Sequence, residues 1–204
     1  IDDYNDLRQI LIDSGEWGTD SETPEEDIDD SVRDAYMKKA VGSTRKQDLY
    51  DYLTSLEGSP DYDEAYEDAQ FFGFSEEDIE NGMKKSFGAK LVGVESEDFN
   101  DNMLYEVLNT VSEGLRKKTE EAMMKHGYTE EEIEKGRQKA YGVVLTGEDQ
   151  SDYKNADMYD KLYDMYLESP KEYQAAVSDM EELGISADNI TTGMKDAYGR
   201  QLTG

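Results

Sequence analysis

Cysteine is absent from the 204-residue sequence, and histidine occurs once, as His126. Without cysteine there is no disulfide, no thiolate metal site and no thiol nucleophile, and cytoplasm, virion and cell exterior all stay compatible with the chain. One histidine does not complete a usual zinc site. Because His126 stands beside Gly127, we expect its imidazole to bond carbonyls at a helix end instead. The sequence therefore predicts a non-enzymatic protein with no catalytic residue, no cofactor and no metal site.

Long apolar runs and a signal peptide are missing as well. No apolar stretch approaches the roughly 20 residues that span a bilayer. The first residues, Ile1-Asp2-Asp3, have neither a basic region nor an apolar core, and they lack an initiator Met. We expect the chain to be part of a larger polypeptide, with no membrane partner.

Positive charge is scarce. Lys and Arg number 21 against 50 Asp and Glu, which gives a formal net charge of −29. Such a surface repels phosphate backbones and anionic lipids, so we expect no direct contact with nucleic acid or membrane. A basic protein surface is the complementary partner. The alternative is that the acidity only keeps the chain soluble.

Apolar residues are few, yet they recur with helical periodicity. Four gap-free segments each carry an isoleucine, small residues three and seven positions later, and an aromatic residue eight positions later. The segments are 24–42, 75–93, 129–147 and 186–204, with isoleucines Ile28, Ile79, Ile133 and Ile190. A mid-helix glycine costs about 1 kcal/mol relative to alanine. The recurrence of Gly82, Gly136 and Gly193 three positions after the isoleucine therefore predicts packing that a Cβ would obstruct.

Two more helices are predicted ahead of each such segment except the first, which has one. One ends at a glycine that we expect to be a left-handed C-terminal cap, namely Gly15, Gly73, Gly127 or Gly184. Pro60 and Pro170 are expected to open this helix in two copies. The other helix has apolar residues at relative positions 0, 3, 4 and 7. These are Leu49, Tyr52, Leu53 and Leu56; Leu104, Val107, Leu108 and Val111; and Tyr159, Leu162, Tyr163 and Tyr166.

The sequence thus predicts an all-α fold of tandem three-helix repeats of about 50 residues, stacked as a short solenoid or a compact helical array. One repeat alone is too small to bury its apolar faces, so neighbours are expected to stack. The predicted boundaries are 1–42 for a truncated first repeat of two helices with a loop insertion at 16–22, then 43–93, 94–147 and 148–204.

Five aromatic residues outside the main apolar positions are candidate partner-binding residues. They are Trp17, Tyr50, Tyr105, Tyr128 and Tyr153. Rigid aromatic anchors inside an electrostatic rim suit a protein-binding surface. The alternative for the tyrosines is partial burial in packing, and for Trp17 a plug over the exposed end of the stack.

Motifs for calcium and nucleotides are not found. From Asp98, Asn100 and Asn102 fit the spacing of a calcium loop, but Met103 replaces the required glycine. No Walker A pattern or Gly-x-Gly-x-x-Gly motif follows a strand.

We therefore expect a non-enzymatic acidic helical-repeat module that binds a basic protein partner. Two alternatives stay open. One is a structural spacer in a large assembly such as a virion or surface protein. The other is a nucleic-acid-mimicking inhibitor of a DNA- or RNA-binding protein, in which carboxylates imitate phosphates. An isolable partner counts against the spacer, and competition with nucleic acid identifies the mimic.

Overall fold

The computed structural model describes residues 25–203, with side chains from residue 30 onward. Within that range the regular structure consists of ten α-helices and no strand, which confirms the predicted all-α class. Trp17, Gly15 and the insertion at 16–22 lie outside the described residues.

Two shorter helices lie between successive long helices. In chain order they are α1 (Glu25–Val41), α2 (Lys46–Leu56), α3 (Tyr62–Phe71), α4 (Glu76–Val92), α5 (Asp101–Thr110), α6 (Glu113–Lys125), α7 (Glu130–Thr146), α8 (Asn155–Glu168), α9 (Pro170–Glu182) and α10 (Ala187–Thr203). The four helices that contain the aligned isoleucines, α1, α4, α7 and α10, each have 17 residues.

The described residues fall into two compact units, which divide between Phe99 and Asn100. In the described part of the first unit, α2 packs mainly on α4 and also contacts α1 and α3. In the second unit, α5 packs on α7, while α8 packs on α10, α9 and α7.

Helix ends follow the capping signals in the sequence. The Oγ of Ser75 accepts the N–H of Asp78 at 3.1 Å, and Thr129 and Glu132 form a reciprocal capping box. The three described glycines predicted as caps have φ of 91°, 82° and 83°, at Gly73, Gly127 and Gly184. His126 is the C-cap of α6, with its Nδ1 2.8 Å from the carbonyl oxygen of Ala122, as predicted.

Two local expectations need correction. Pro170 opens α9 as expected, but α3 begins at Tyr62, so Pro60 lies in the turn ahead of that helix. In α8 the buried pair is Met158 and Leu162, four residues apart. The predicted register, which started at Tyr159, is therefore wrong by one residue. Methionine and tyrosine both fit an apolar pattern, and only packing distinguishes them.

The corrected register reveals a contact that occurs three times. Tyr50 lies over Gly82, Tyr105 over Gly136, and Tyr159 over Gly193. A Cβ at any of these glycines would lie less than 3.0 Å from three ring atoms, closer than real Cβ contacts allow. This contact confirms the packing predicted from the mid-helix glycines. We refer to the consecutive helices α2–α4, α5–α7 and α8–α10 as three trios. In each trio the contact joins the first helix to the last, which is the long one.

A second ring-on-glycine contact involves the connecting segments. Phe99 lies over Gly88, and Tyr153 lies over Gly142, again with no room for a Cβ. Each ring comes from the residue just before the N-cap of the next helix, Asn100 for α5 and Lys154 for α8.

In the first unit a polar cluster holds the segment that carries Phe99. The hydroxyl of Ser96 donates to Oδ1 of Asp51 at 2.7 Å. The same oxygen accepts hydrogen bonds from Ser86 on α4 and from Gln47 on α2. Buried polar groups satisfied in this way fix one arrangement of the segment against both helices.

Two glycines of α10 test the ring contact. Alanine raises intrinsic helix stability at both Gly193 and Gly199, by about 1 kcal/mol. At Gly199 a Cβ would meet nothing within 4 Å, so we expect Gly199→Ala to raise the free energy of unfolding. At Gly193 the ring of Tyr159 obstructs the methyl, so Gly193→Ala should lower it by about 1 to 3 kcal/mol. Urea denaturation measures both, and a gain at both positions would contradict the close approach.

Candidate interaction surfaces

The four described candidate tyrosines are buried. Tyr50, Tyr105, Tyr128 and Tyr153 are 7%, 8%, 3% and 9% exposed. Three of the rings cover glycines, and the hydroxyl of Tyr128 donates to Oδ1 of Asp101 at 3.1 Å. This placement favours the packing alternative over a role as surface anchors. The fifth candidate, Trp17, lies outside the described residues.

Burial also changes the acidity of these phenols. It raises the pKa of Tyr105 and of Tyr153 to about 12. Burial together with Asp68 raises the pKa of Tyr36 to about 12. For Tyr128, burial and the neighbouring carboxylate of Asp101 both raise the pKa. A buried phenolate lacks solvation, so each of these rings stays neutral while the fold is intact.

The first unit has an exposed face that combines acidity with an aromatic ring. We define the acidic face of α3 as Asp63, Glu64, Glu67, Asp68 and Phe71. The four acidic residues are exposed, and the helix sequence contains no Lys or Arg. Residues 63, 67 and 71 follow one another at intervals of four, so they share one side of the helix.

Phe71 lies against a pair of stacked rings, the partly buried Phe72 and the buried Tyr36. It is 54% exposed, and its ring meets that of Phe72 edge-on at 5.3 Å between centroids. Phe72 in turn stacks on Tyr36 at 4.4 Å. The ring of Phe71 is therefore supported from one side by Phe72, while about half of its surface is exposed. Sequence analysis did not select Phe71, although its position at the end of an acidic helix was visible.

The second unit exposes a cluster of tyrosines on α8, α9 and α10. Ring centroids lie 5.3 to 6.2 Å apart along the series Tyr173, Tyr166, Tyr163 and Tyr198. Tyr166 and Tyr198 are 54% and 50% exposed. Both occupy repeat positions that were predicted to be apolar and packed against neighbouring helices. Tyr198 contacts Tyr163 on α8, and half of its surface stays exposed.

Two cavities in the second unit share Asn155, Tyr159 and Asn189. Their volumes are about 410 and 300 Å³. Carboxylates, amides and two basic residues, Lys135 and Arg200, line them, with neither histidine nor cysteine. The lining offers hydrogen-bonding groups and an ion pair between Lys135 and Glu131.

Within residues 25–203 no three His, Cys, Asp or Glu side chains are grouped to hold a metal ion. In the same range no helix combines the length and the apolar character needed to cross a membrane.

No family model, curated protein or solved structure matches the chain.

The charge surplus dominates the surface. At most 21 of the 50 carboxylates can be matched one to one with Lys or Arg, which leaves 29. Some pairs are well formed. Arg200 contacts Asp160 through two nitrogens, and Lys117 and Lys135 lower the pKa of Glu113 and Glu131. At Glu148, slight burial and the nearby Asp157 raise the pKa instead.

We expect the fold to become more stable with added sodium chloride at pH 7, because salt screens the surplus repulsion. Stability should also rise as the pH falls from 7 toward about 5. A raised pKa such as that of Glu148 means that protonation favours the fold. Below about pH 4 the trend should reverse, because Glu113 and Glu131 then lose their ion pairs. Thermal melts over salt and pH measure this, and a flat or falling melting temperature with salt would contradict it.

Alkaline pH should unfold the protein. A raised phenol pKa contributes stability that is complete below the ordinary value near 10 and is lost as the pH rises through about 12. Absorbance at the phenolate band should show exposed tyrosines titrating first. Tyr36, Tyr105 and Tyr153 should ionise only together with the loss of helical circular dichroism. Titration of all tyrosines with full helicity retained would contradict their burial.

Proposed function

We propose that this chain is a non-enzymatic acidic helical module that binds a basic protein surface through the acidic face of α3. One observation carries the proposal. Four exposed carboxylates and an exposed, supported aromatic ring share a ten-residue helix that has no basic residue.

Charge supplies the first step of recognition. A field of one sign steers a basic partner and raises its association rate, with strong dependence on ionic strength. The carboxylates of Asp63, Glu64, Glu67 and Asp68 are exposed, so partial desolvation against Lys or Arg costs little. These carboxylates mainly raise the association rate and orient the partner.

Phe71 supplies the second step. Interface energy is concentrated in a few aromatic anchors surrounded by polar rims. Phe71 rests on Phe72, which rests on Tyr36, so little side-chain freedom is lost when a partner covers it. The preferred partner is a basic surface with an apolar recess.

The module is built, we infer, from tandem three-helix repeats of about 50 residues, with boundaries at 43–93, 94–147 and 148–204. Three features support this organisation. The long helices have equal lengths, and the ring-on-glycine contact occurs once in each trio. The third is an equivalent hydrogen bond: Tyr36 and Tyr141 donate to the carbonyl oxygens of Ala65 and Ala176.

The test compares two sets of charge-neutralising substitutions. The first changes Asp63→Asn, Glu64→Gln, Glu67→Gln and Asp68→Asn. The matched control changes Glu168, Glu172, Glu181 and Glu182 to Gln; these are also exposed, lie in the second unit and alter the net charge equally. A partner captured at low salt is purified, and its affinity is measured by calorimetry against each variant.

We expect the first set to weaken binding about tenfold or more, and the control set to weaken it little. Phe71→Ser should cost about 2 kcal/mol, the size of a hot-spot residue. Equal losses from both sets would mean that only total charge matters, and the proposed face would be wrong. Displacement of the partner by duplex DNA or RNA would favour the nucleic-acid mimic, and absence of any retained partner would favour the spacer.

A further inference from the structure

Several side chains of α7 contact its neighbouring hairpin, α8 with α9, and three of the contacts involve residues 141–145. Tyr153, just ahead of α8, covers Gly142. Tyr141 donates from its hydroxyl to the carbonyl oxygen of Ala176 on α9 at 3.3 Å. Leu145 packs against the core formed by the same hairpin. Tyr141, Gly142 and Leu145 therefore form part of the face of α7 that docks the hairpin, to which Val143 and Gln138 also contribute.

The same three residue types recur on α10 at the same spacing, as Tyr198, Gly199 and Leu202. On α10 these residues do not contact a hairpin in the way that those of α7 do. A Cβ at Gly199 would meet nothing within 4 Å, whereas one at Gly142 would collide with a ring. Tyr198 is 50% exposed and Leu202 is 68% exposed. We call this set the outer face of α10.

Exposure of these Tyr, Gly and Leu residues lowers the stability of the fold. Tyr198 and Leu202 expose large parts of their surface to water. Gly199 lowers helix stability by about 1 kcal/mol, and no ring packs on it to offset this loss. At Gly193, six residues earlier in the same helix, that cost is offset by the ring of Tyr159. A ligand that covers Gly199 would offset it in the same way.

We propose that the outer face of α10 is a docking site for a further helical hairpin of this repeat type, led by a Phe or Tyr whose ring covers Gly199. The inference rests on the repeat organisation proposed above. The hydroxyl of Tyr198 then donates to a carbonyl of the hairpin's second helix, as Tyr141 does with α9.

The occupant is a hairpin from outside the described residues. The hairpin of α2 and α3 is already engaged by α1, through the hydrogen bond of Tyr36 to Ala65 and the stack on Phe72. Thr44 stands where a leading aromatic residue would be, five residues before Leu49, as Phe99 is before Leu104 and Tyr153 before Met158. The hairpin of α8 and α9 is engaged by α7. The ring of Phe99, which leads the hairpin of α5 and α6, already covers Gly88. A second copy of the chain therefore offers none of its three described hairpins.

The experiment extends the full chain by a second copy of its residues 148–182, placed directly after Gly204. Gly204 corresponds to Gly147, so the added hairpin follows in the natural register, and the linkage keeps its effective concentration high. We expect the added segment to be helical and protected from amide exchange. In NMR spectra the α-protons of Gly199 should move upfield under the added ring.

Two substitutions should abolish these effects in the extended chain. One is Tyr153→Ala in the added copy only, and the other is Gly199→Leu, which fills the space for the ring. Each should reduce exchange protection of the added segment about tenfold or more. Gly114→Leu is the matched control, because a Cβ at Gly114 also meets nothing within 4 Å, and it should leave docking intact.

An unprotected added segment, or a Gly199 shift that persists without the added ring, would overturn the proposal. A concentration-dependent dimer of the unextended chain that Gly199→Leu abolishes would assign the face to a second copy and would also overturn it. The acidic face of α3 lies in the other unit and is unchanged in every variant here. Failure of docking is thereby distinguished from failure of the proposed binding function.

Discussion

Close approach of an aromatic ring to a helical glycine is the contact on which the rest of the structure depends. It recurs at Gly82, Gly136 and Gly193, and each time it joins the first helix of a trio to the long helix. The ring buries a large apolar surface on helix backbone, so one side chain provides most of a contact that would otherwise require several. This matters in a chain with only 36% hydrophobic residues. A small number of apolar residues is enough to form the core, because the large rings pack against glycines, which have no side chain.

The acidic surplus and the sparse core are complementary features. A strongly acidic surface opposes compaction, and small cores offset that repulsion only when packing is specific. The Tyr residues meet this need since they are large, and their hydroxyls reach a carbonyl or a carboxylate at the edge of the core, as Tyr36 and Tyr128 do. The rings that remain exposed, Phe71 and Tyr198, mark the faces where contacts with other molecules are proposed.

Much of the fold was predictable from local chemistry. The capping box at Thr129, the left-handed glycines and the cap formed by His126 follow from rules that act within one or two turns of helix. The burial of individual tyrosines was less predictable. Tyr50 and Tyr105 stand outside the apolar stripe, yet they are buried, because a glycine on another helix receives them. Tyr166 and Tyr198 stand inside the stripe, yet they are about half exposed, because their neighbours Tyr173 and Tyr163 cover only part of each ring.

The sequence by itself determined the helical class, the helix ends and the presence of close packing at the recurring glycines. Each of these depends on backbone preferences and on spacing along one chain segment. Tertiary structure alone decided which ring meets which glycine, the register of α8, and which aromatic residues face outward. The physical reason is that exposure depends on a partner surface, and a partner distant in sequence leaves no local trace in the residue that it covers.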